Sequence, residues 1–110
     1  MANKYGARRC KFNGITFDSK RERDRYIVLM EREKRGEISD LKLQVPLFLE
    51  GRDGPVLTRT GRKMRLTVDF SYTDSKTGLT IFEDAKGMPT RDYEVRKAVA
   101  AAQGVEVKEV

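Results

Sequence analysis

Asp69, Asp84 and Lys86, with Glu22 far upstream, are the side chains whose types and spacing could do chemistry together. Asp84 and Lys86 are separated by one residue in Phe82-Glu83-Asp84-Ala85-Lys86-Gly87. In a strand both therefore leave one face, while Glu83 and Ala85 leave the other. Asp69 sits inside an earlier alternation, with Leu66, Val68 and Phe70 on one side and Thr67, Asp69 and Ser71 on the other. One short connection joins the two runs, so antiparallel pairing would allow Asp69 to lie beside Asp84; the register that decides this is not written in the sequence.

Two carboxylates brought together lose hydration and repel one another, and a divalent cation removes that penalty. With no histidine and one cysteine, Cys10, the chain has no Cys/His ligand set for zinc. A hard ion held by oxygens is the alternative: Mg²⁺ takes one or two carboxylates and keeps positions for water and phosphate oxygens. Asp69 and Asp84 are the candidate metal ligands, the Ala85 carbonyl is a further one, and Lys86 could orient an attacking water or neutralise charge developing on phosphorus. The plain alternative for Asp84 and Lys86 is an ion pair on a strand surface. Glu22 has two readings, a helix cap and a further metal ligand, and both could hold in different metal-bound states. Ser19-x-x-Glu22 is a capping box, yet Glu22 also stands one turn before Tyr26, on the face that should meet the sheet. Glu83, turned away by alternation, is expected to be a supporting, surface or salt-bridging residue. Gln44 alternates against the apolar Leu43 and Val45, as a solvated strand glutamine would.

The 110 residues suffice for one domain, 1–110, with one core. No run of about 18 apolar residues and no basic leader with an apolar stretch occurs, so neither a membrane span nor a secretory signal is expected. Residues 1–36 hold 11 basic and 5 acidic side chains, whereas residues 37–110 hold 12 of each. The whole excess of +6 is thus in the first third, which suits a polyanionic partner or a solubilising surface.

Asn13-Gly14 between residues 8–12 and 15–17 predicts a basic hairpin, too polar to carry the core, and residues 1–17 form a basic arm. From Ser19 to Arg35-Gly36, Tyr26, Leu29 and Met30 recur at helical spacing, with glycine where a C-cap belongs. Leu41, Leu43 and Val45 alternate in a strand, with Pro46 at an edge, a bulge or a break. Residues 51–63 read as a projecting loop or loose hairpin, and residues 66–71 and 79–87 as a strand pair. Thr90 caps a helix to about Gln103, and Val105 and Val107 open a last short strand. The order is helix, three strands, helix, strand, which predicts an α/β sheet covered by helices.

With these residues in place, the sequence resembles the PD-(D/E)xK nuclease superfamily, whose core has this order. More narrowly, it resembles small phage and prophage proteins related to those nucleases. The resemblance is carried by YGARRCKFNGITFDSKRERDRY, LKLQVPLFL, VDFSY, FEDAKG and TRDYEVRK, which together span nearly the whole chain. Asp69 resembles the aspartate of the first motif, here preceded by Val68 instead of proline, and Asp84 and Lys86 resemble the acid and lysine of the second. Glu22 resembles the first-helix glutamate of the branch containing Holliday-junction resolvases, and the resemblance implies that Gln44, as a polar residue of the first strand, is either solvated or reaches the site. The resemblance implies a restriction-endonuclease-like core and Mg²⁺- or Mn²⁺-dependent endonucleolytic hydrolysis of DNA, with nicking or resolution of branched DNA among the outcomes. It also implies action in the cytoplasm of a bacterial host during phage or prophage expression. Arg8, Arg9, Lys11, Arg59, Arg62, Lys63 and Arg65 are the candidate phosphate contacts. Tyr93, Arg96 and Lys97 either meet a flanking phosphate or, respectively, pack on the sheet and face water. A homodimer would supply the two centres needed to cut two strands. The competing reading is a noncatalytic DNA-binding accessory protein on the same fold.

Overall fold

The computed structural model describes residues 8–110, so residues 1–7 of the expected basic arm lie outside the described residues. Asn13 and Gly14 both adopt the left-handed backbone, φ 54° and 78°, that a tight hairpin turn requires. They join β1 (Cys10–Phe12) to β2 (Ile15–Phe17) in antiparallel register, Cys10 opposite Phe17. The hairpin is less peripheral than its polarity suggests. Phe17 is fully buried, with its ring centroid 5.2 Å from that of Tyr26, because one strand end turns inward under the first helix.

That helix, α1 (Lys20–Lys34), starts where the Ser19 hydroxyl accepts the Glu22 N–H at 3.2 Å and ends before Gly36 at φ 76°. Its buried residues Glu22, Tyr26 and Leu29 recur at one-turn spacing. The main sheet contains β3 (Ile38–Phe48), β6 (Arg65–Asp74), β7 (Thr80–Asp84) and β8 (Val107–Glu109), in spatial order β3-β6-β7-β8. Its first two pairings are antiparallel and the last is parallel. Pro46 lies on the edge strand, where a missing N–H breaks no second ladder. The irregularities of β3 fall elsewhere, at Asp40 and Gln44, whose φ angles are 55° and 52°.

Between β3 and β6, the expected loose hairpin contains β4 (Glu50–Gly51) and β5 (Gly54–Pro55), continued by a bridge from Leu57 to Lys63. The second helix, α2 (Arg91–Ala102), begins at Thr90, whose hydroxyl accepts the Tyr93 N–H at 3.1 Å. It forms the crossover that returns β8 parallel to β7.

Apolar packing divides into two clusters. Phe17, Tyr26, Leu29, Ile38, Phe70 and Tyr72 form one, with Leu43 against it. Leu49, Leu66, Val68, Tyr93, Ala100 and Val107 form the other, with Val45 against it. The seam therefore crosses β3 at Gln44 and β6 at Asp69. Polar residues stand where the two clusters divide, which lets a site enter the sheet without opening either one. The result is an α/β fold, a four-stranded mixed sheet flanked by two helices, broadly compatible with a restriction-endonuclease-like core. Among the described residues, no helix is long and apolar enough to cross a membrane.

Candidate functional site

The ladder between β6 and β7 runs from Thr73↔Thr80 to Phe70↔Glu83 and stops there. Continuation would set Asp69 opposite Asp84. Instead, the Asp69 N–H donates to Asp84 Oδ1 at 2.8 Å, and the Ala85 N–H donates to Asp69 Oδ2 at 2.9 Å. Each carboxylate takes a backbone donor of the opposite strand, so the strands separate without orphaning these buried amides.

On the other side of β6, Leu43↔Phe70 and Val45↔Val68 bracket Gln44 opposite Asp69. Gln44 is in the left-handed region, which costs a residue with a Cβ about 1–3 kcal/mol and persists where surrounding structure enforces it. Its side-chain amide donates to Glu22 Oε1 at 3.2 Å and to Asp69 Oδ1 at 3.3 Å. Glu22 thus supplies only the backbone half of the capping arrangement, while its carboxylate turns to the sheet. Glu22, Gln44, Asp69 and Asp84 form one linked row across α1, β3, β6 and β7.

The row is buried at both ends, with Glu22 7% exposed and Asp84 fully enclosed. Burial raises the Glu22 carboxyl to about 7, helped by the charges of Asp69 and Asp18, while Lys86 opposes the rise. Burial likewise raises Asp84 to about 6; the hydrogen bond from the Asp69 amide opposes this and the Asp69 charge adds to it. Asp84 Oδ2 and the Tyr93 hydroxyl are buried with no hydrogen-bond partner. The phenol is pushed well above its usual range by burial and then by the charge of Asp84. Lys86 extends over the Tyr93 ring, its Nζ 4.8 Å from the centroid, and its charge acts on both Glu22 and Asp84.

Among the described residues, no three His, Cys, Asp or Glu side chains form a ready cluster that could hold an ion. The acids stand in a row with an amide between the first two. The orphaned Asp84 oxygen, the adjacent Asp69 carboxylate and the purely oxygen donor set nevertheless suit a hard cation better than a soft one.

The family model described as "Protein of unknown function (DUF1064)" matches residues 2–110. The chain belongs to the DUF1064 family. No curated protein and no solved structure gives a significant match to it.

Glu83 of this DUF1064 chain takes the supporting, salt-bridging place among the expected alternatives and not the surface one. It is fully enclosed, accepts two hydrogen bonds from Arg25 at 2.8 and 2.7 Å, and takes a further one from the Tyr72 hydroxyl. Burial alone would raise its carboxyl, but the bonds from Arg25 and Tyr72 hold it below the usual carboxylate range. This ties α1 to β7 one residue from Asp84, and the salt-bridging part of the expectation holds.

The basic candidates separate into two groups. Arg8, Arg9, Lys11, Arg59, Arg62, Lys63 and Arg65 are exposed, Arg9 within 3.7 Å of Asp18. Arg96 instead donates to Asp92 at 2.9 Å and to the Arg65 carbonyl at 2.7 Å, and Lys97 pairs with Glu109 at 3.3 Å. Tyr93 was legible in the sequence only as a packing or phosphate residue; its place between Asp84 and Lys86 depends on how α2 docks. Arg25 gave no signal beyond its charge.

Proposed function

We propose that this DUF1064 protein is a divalent-metal-dependent endonuclease of the PD-(D/E)xK type, hydrolysing DNA phosphodiester bonds with Mg²⁺ or Mn²⁺. The observation that carries the reading is the row Glu22, Gln44, Asp69 and Asp84, closed by reciprocal carboxylate-to-amide bonds between β6 and β7. Asp69 and Asp84 would hold the ion, with the Ala85 carbonyl and Glu22 as further ligands. When bound, the ion polarises a phosphoryl oxygen and acidifies water at neutral pH.

The remaining chemistry falls to the chain. Lys86, steadied over Tyr93, places an ammonium beside the acids, where it can orient the attacking water and offset charge accumulating on the phosphate. Water oxygen forms a new bond to phosphorus as the water gives up a proton to solvent, the bond to the leaving sugar oxygen breaks, and the departing oxygen is protonated from solvent. The exposed basic residues of the N-terminal hairpin and of 59–65 would hold the DNA backbone. Such an enzyme would act on DNA in the bacterial cytoplasm, and two copies would cut two strands of a duplex or junction.

A noncatalytic DNA-binding role is favoured by one observation, the lack of a ready three-ligand cluster among the described residues. Plasmid and branched-duplex nicking with Mg²⁺ or Mn²⁺ separates the two readings. Hydrolysis abolished by chelation, and by Asp84→Asn or Lys86→Ala in folded protein that still binds DNA, is the expected result. Full activity in either variant, or DNA binding with no cleavage on any substrate, rejects the enzyme.

A further inference from the structure

Gln44 carries the least comfortable backbone of the site. A strand residue with a Cβ at φ 52° is strained, and neither flanking pair, Leu43↔Phe70 nor Val45↔Val68, requires it. What the conformation achieves is placement. It brings one carboxamide between Glu22 on the helix and Asp69 on the central strand, 3.2 and 3.3 Å from their oxygens. Only the amino end of the carboxamide can face two carboxylate oxygens, because its carbonyl would make a third acceptor. The amide therefore offsets part of the repulsion between the two acids, and it is the side-chain donor they share.

A carboxamide has a second face. Rotation by half a turn about its last bond exchanges the NH₂ for an oxygen, turning a donor to carboxylates into a neutral ligand for a hard cation. The geometry points to Gln44 as a further oxygen ligand of the divalent site, its carboxamide donating to Glu22 and Asp69 in the metal-free protein and turning its oxygen inward when a cation takes over their charge. This rests on the hydrolase reading of the same acids, and it adds a ligand that explains how a row of three acids with an amide among them can become a site. The strained backbone would then keep the side chain pointed at the seam in both states.

The test uses the whole chain, free Mn²⁺ and Mg²⁺, and calorimetric titration. Gln44→Gly is the main variant, because glycine is comfortable at a positive φ and keeps the strand path while removing the carboxamide. Gln44→Glu keeps an oxygen ligand, and Asp84→Asn is the control for the site itself. Mn²⁺ affinity should fall by about tenfold or more in Gln44→Gly and be retained or strengthened in Gln44→Glu. In the unaltered protein, the Gln44 side-chain amide signals in a nitrogen-edited NMR spectrum should move saturably with Mg²⁺ and their hydrogens should exchange faster with solvent as the NH₂ leaves Glu22 and Asp69, whereas an amide that stays bonded to the two acids would keep its protection. Equal Mn²⁺ affinity in Gln44→Gly and the unaltered chain, or amide signals that stay fixed at saturating Mg²⁺, overturns the assignment while leaving the hydrolase reading standing. Absence of Mn²⁺ binding by the unaltered chain, or binding indifferent to Asp84→Asn, overturns both.

Discussion

At the scale of single residues, folding makes two acids of the site, Glu22 and Asp84, reluctant to ionise. Glu22 moves from 4.5 to about 7 and Asp84 from 3.8 to about 6, burial being the first cause in each case. Because the folded values lie above the unfolded ones, the native chain binds these protons more tightly. Their contribution to stability is complete below the unfolded values and is lost as pH rises through the folded ones. For Asp84 the change is on the order of 3 kcal/mol at most. Glu37 and Glu83, held low by arginine partners, run in the opposite direction, so the whole-protein profile alone does not isolate the effect. The difference between variants does. In chelator, the melting temperature of Asp84→Asn relative to the unaltered chain should rise between about pH 4 and about pH 7, and added Mg²⁺ should reverse the unaltered protein's loss. A pH-independent difference would show that folding leaves the Asp84 carboxyl at its unfolded value, and a fall over that range would show that it is held below it.

At the scale of elements, α1 is set against the sheet by an ion pair the sequence did not locate. Arg25 lies three residues beyond Glu22 and Glu83 one residue before Asp84, so their bidentate bond fixes the spacing between helix and strand at the site. Glu83 is fully enclosed and the Arg25 side chain 24% exposed, so removing one partner strands a charge. Glu83→Ala should cost about 3–5 kcal/mol in chemical denaturation, while replacing both with apolar residues should cost far less. Equal costs for the single and double replacements would make the pair a packing element only. The elements themselves were legible: Asn13-Gly14, Ser19, Gly36 and Thr90 mark turns and caps through local chemistry that tertiary packing did not override. Asp69, Asp84 and Lys86 could be read as a set because strand alternation and one hairpin join them. The distortion at Gln44, the burial of Glu83 and the inward turn of Phe17 come from how separate elements dock, and no period along the chain encodes that.

At the scale of the whole molecule, charge decides which surface could meet DNA. Formal counting treats every lysine and arginine alike, but the fold does not. Arg96 and Lys97 are committed to Asp92, the Arg65 carbonyl and Glu109, so their charges are locally answered. Arg59, Arg62 and Lys63 stand exposed on the turn beyond the β4–β5 hairpin, and releasing counterions from phosphate asks for such groups. Neutralising these three to glutamine should weaken binding to unrelated duplexes almost equally and should reduce the slope of log affinity against log salt by about 0.9 for each phosphate that is no longer neutralised. Replacing Arg96 and Lys97 should leave that slope nearly unchanged and lower the melting temperature instead, because α2 loses its ties to β6 and β8. Fluorescence anisotropy across a salt series compares the two variants directly. Parallel salt lines for the loop variant would take the DNA path off the loop, and an equal change of slope in the helix variant would bring the face of α2 into it.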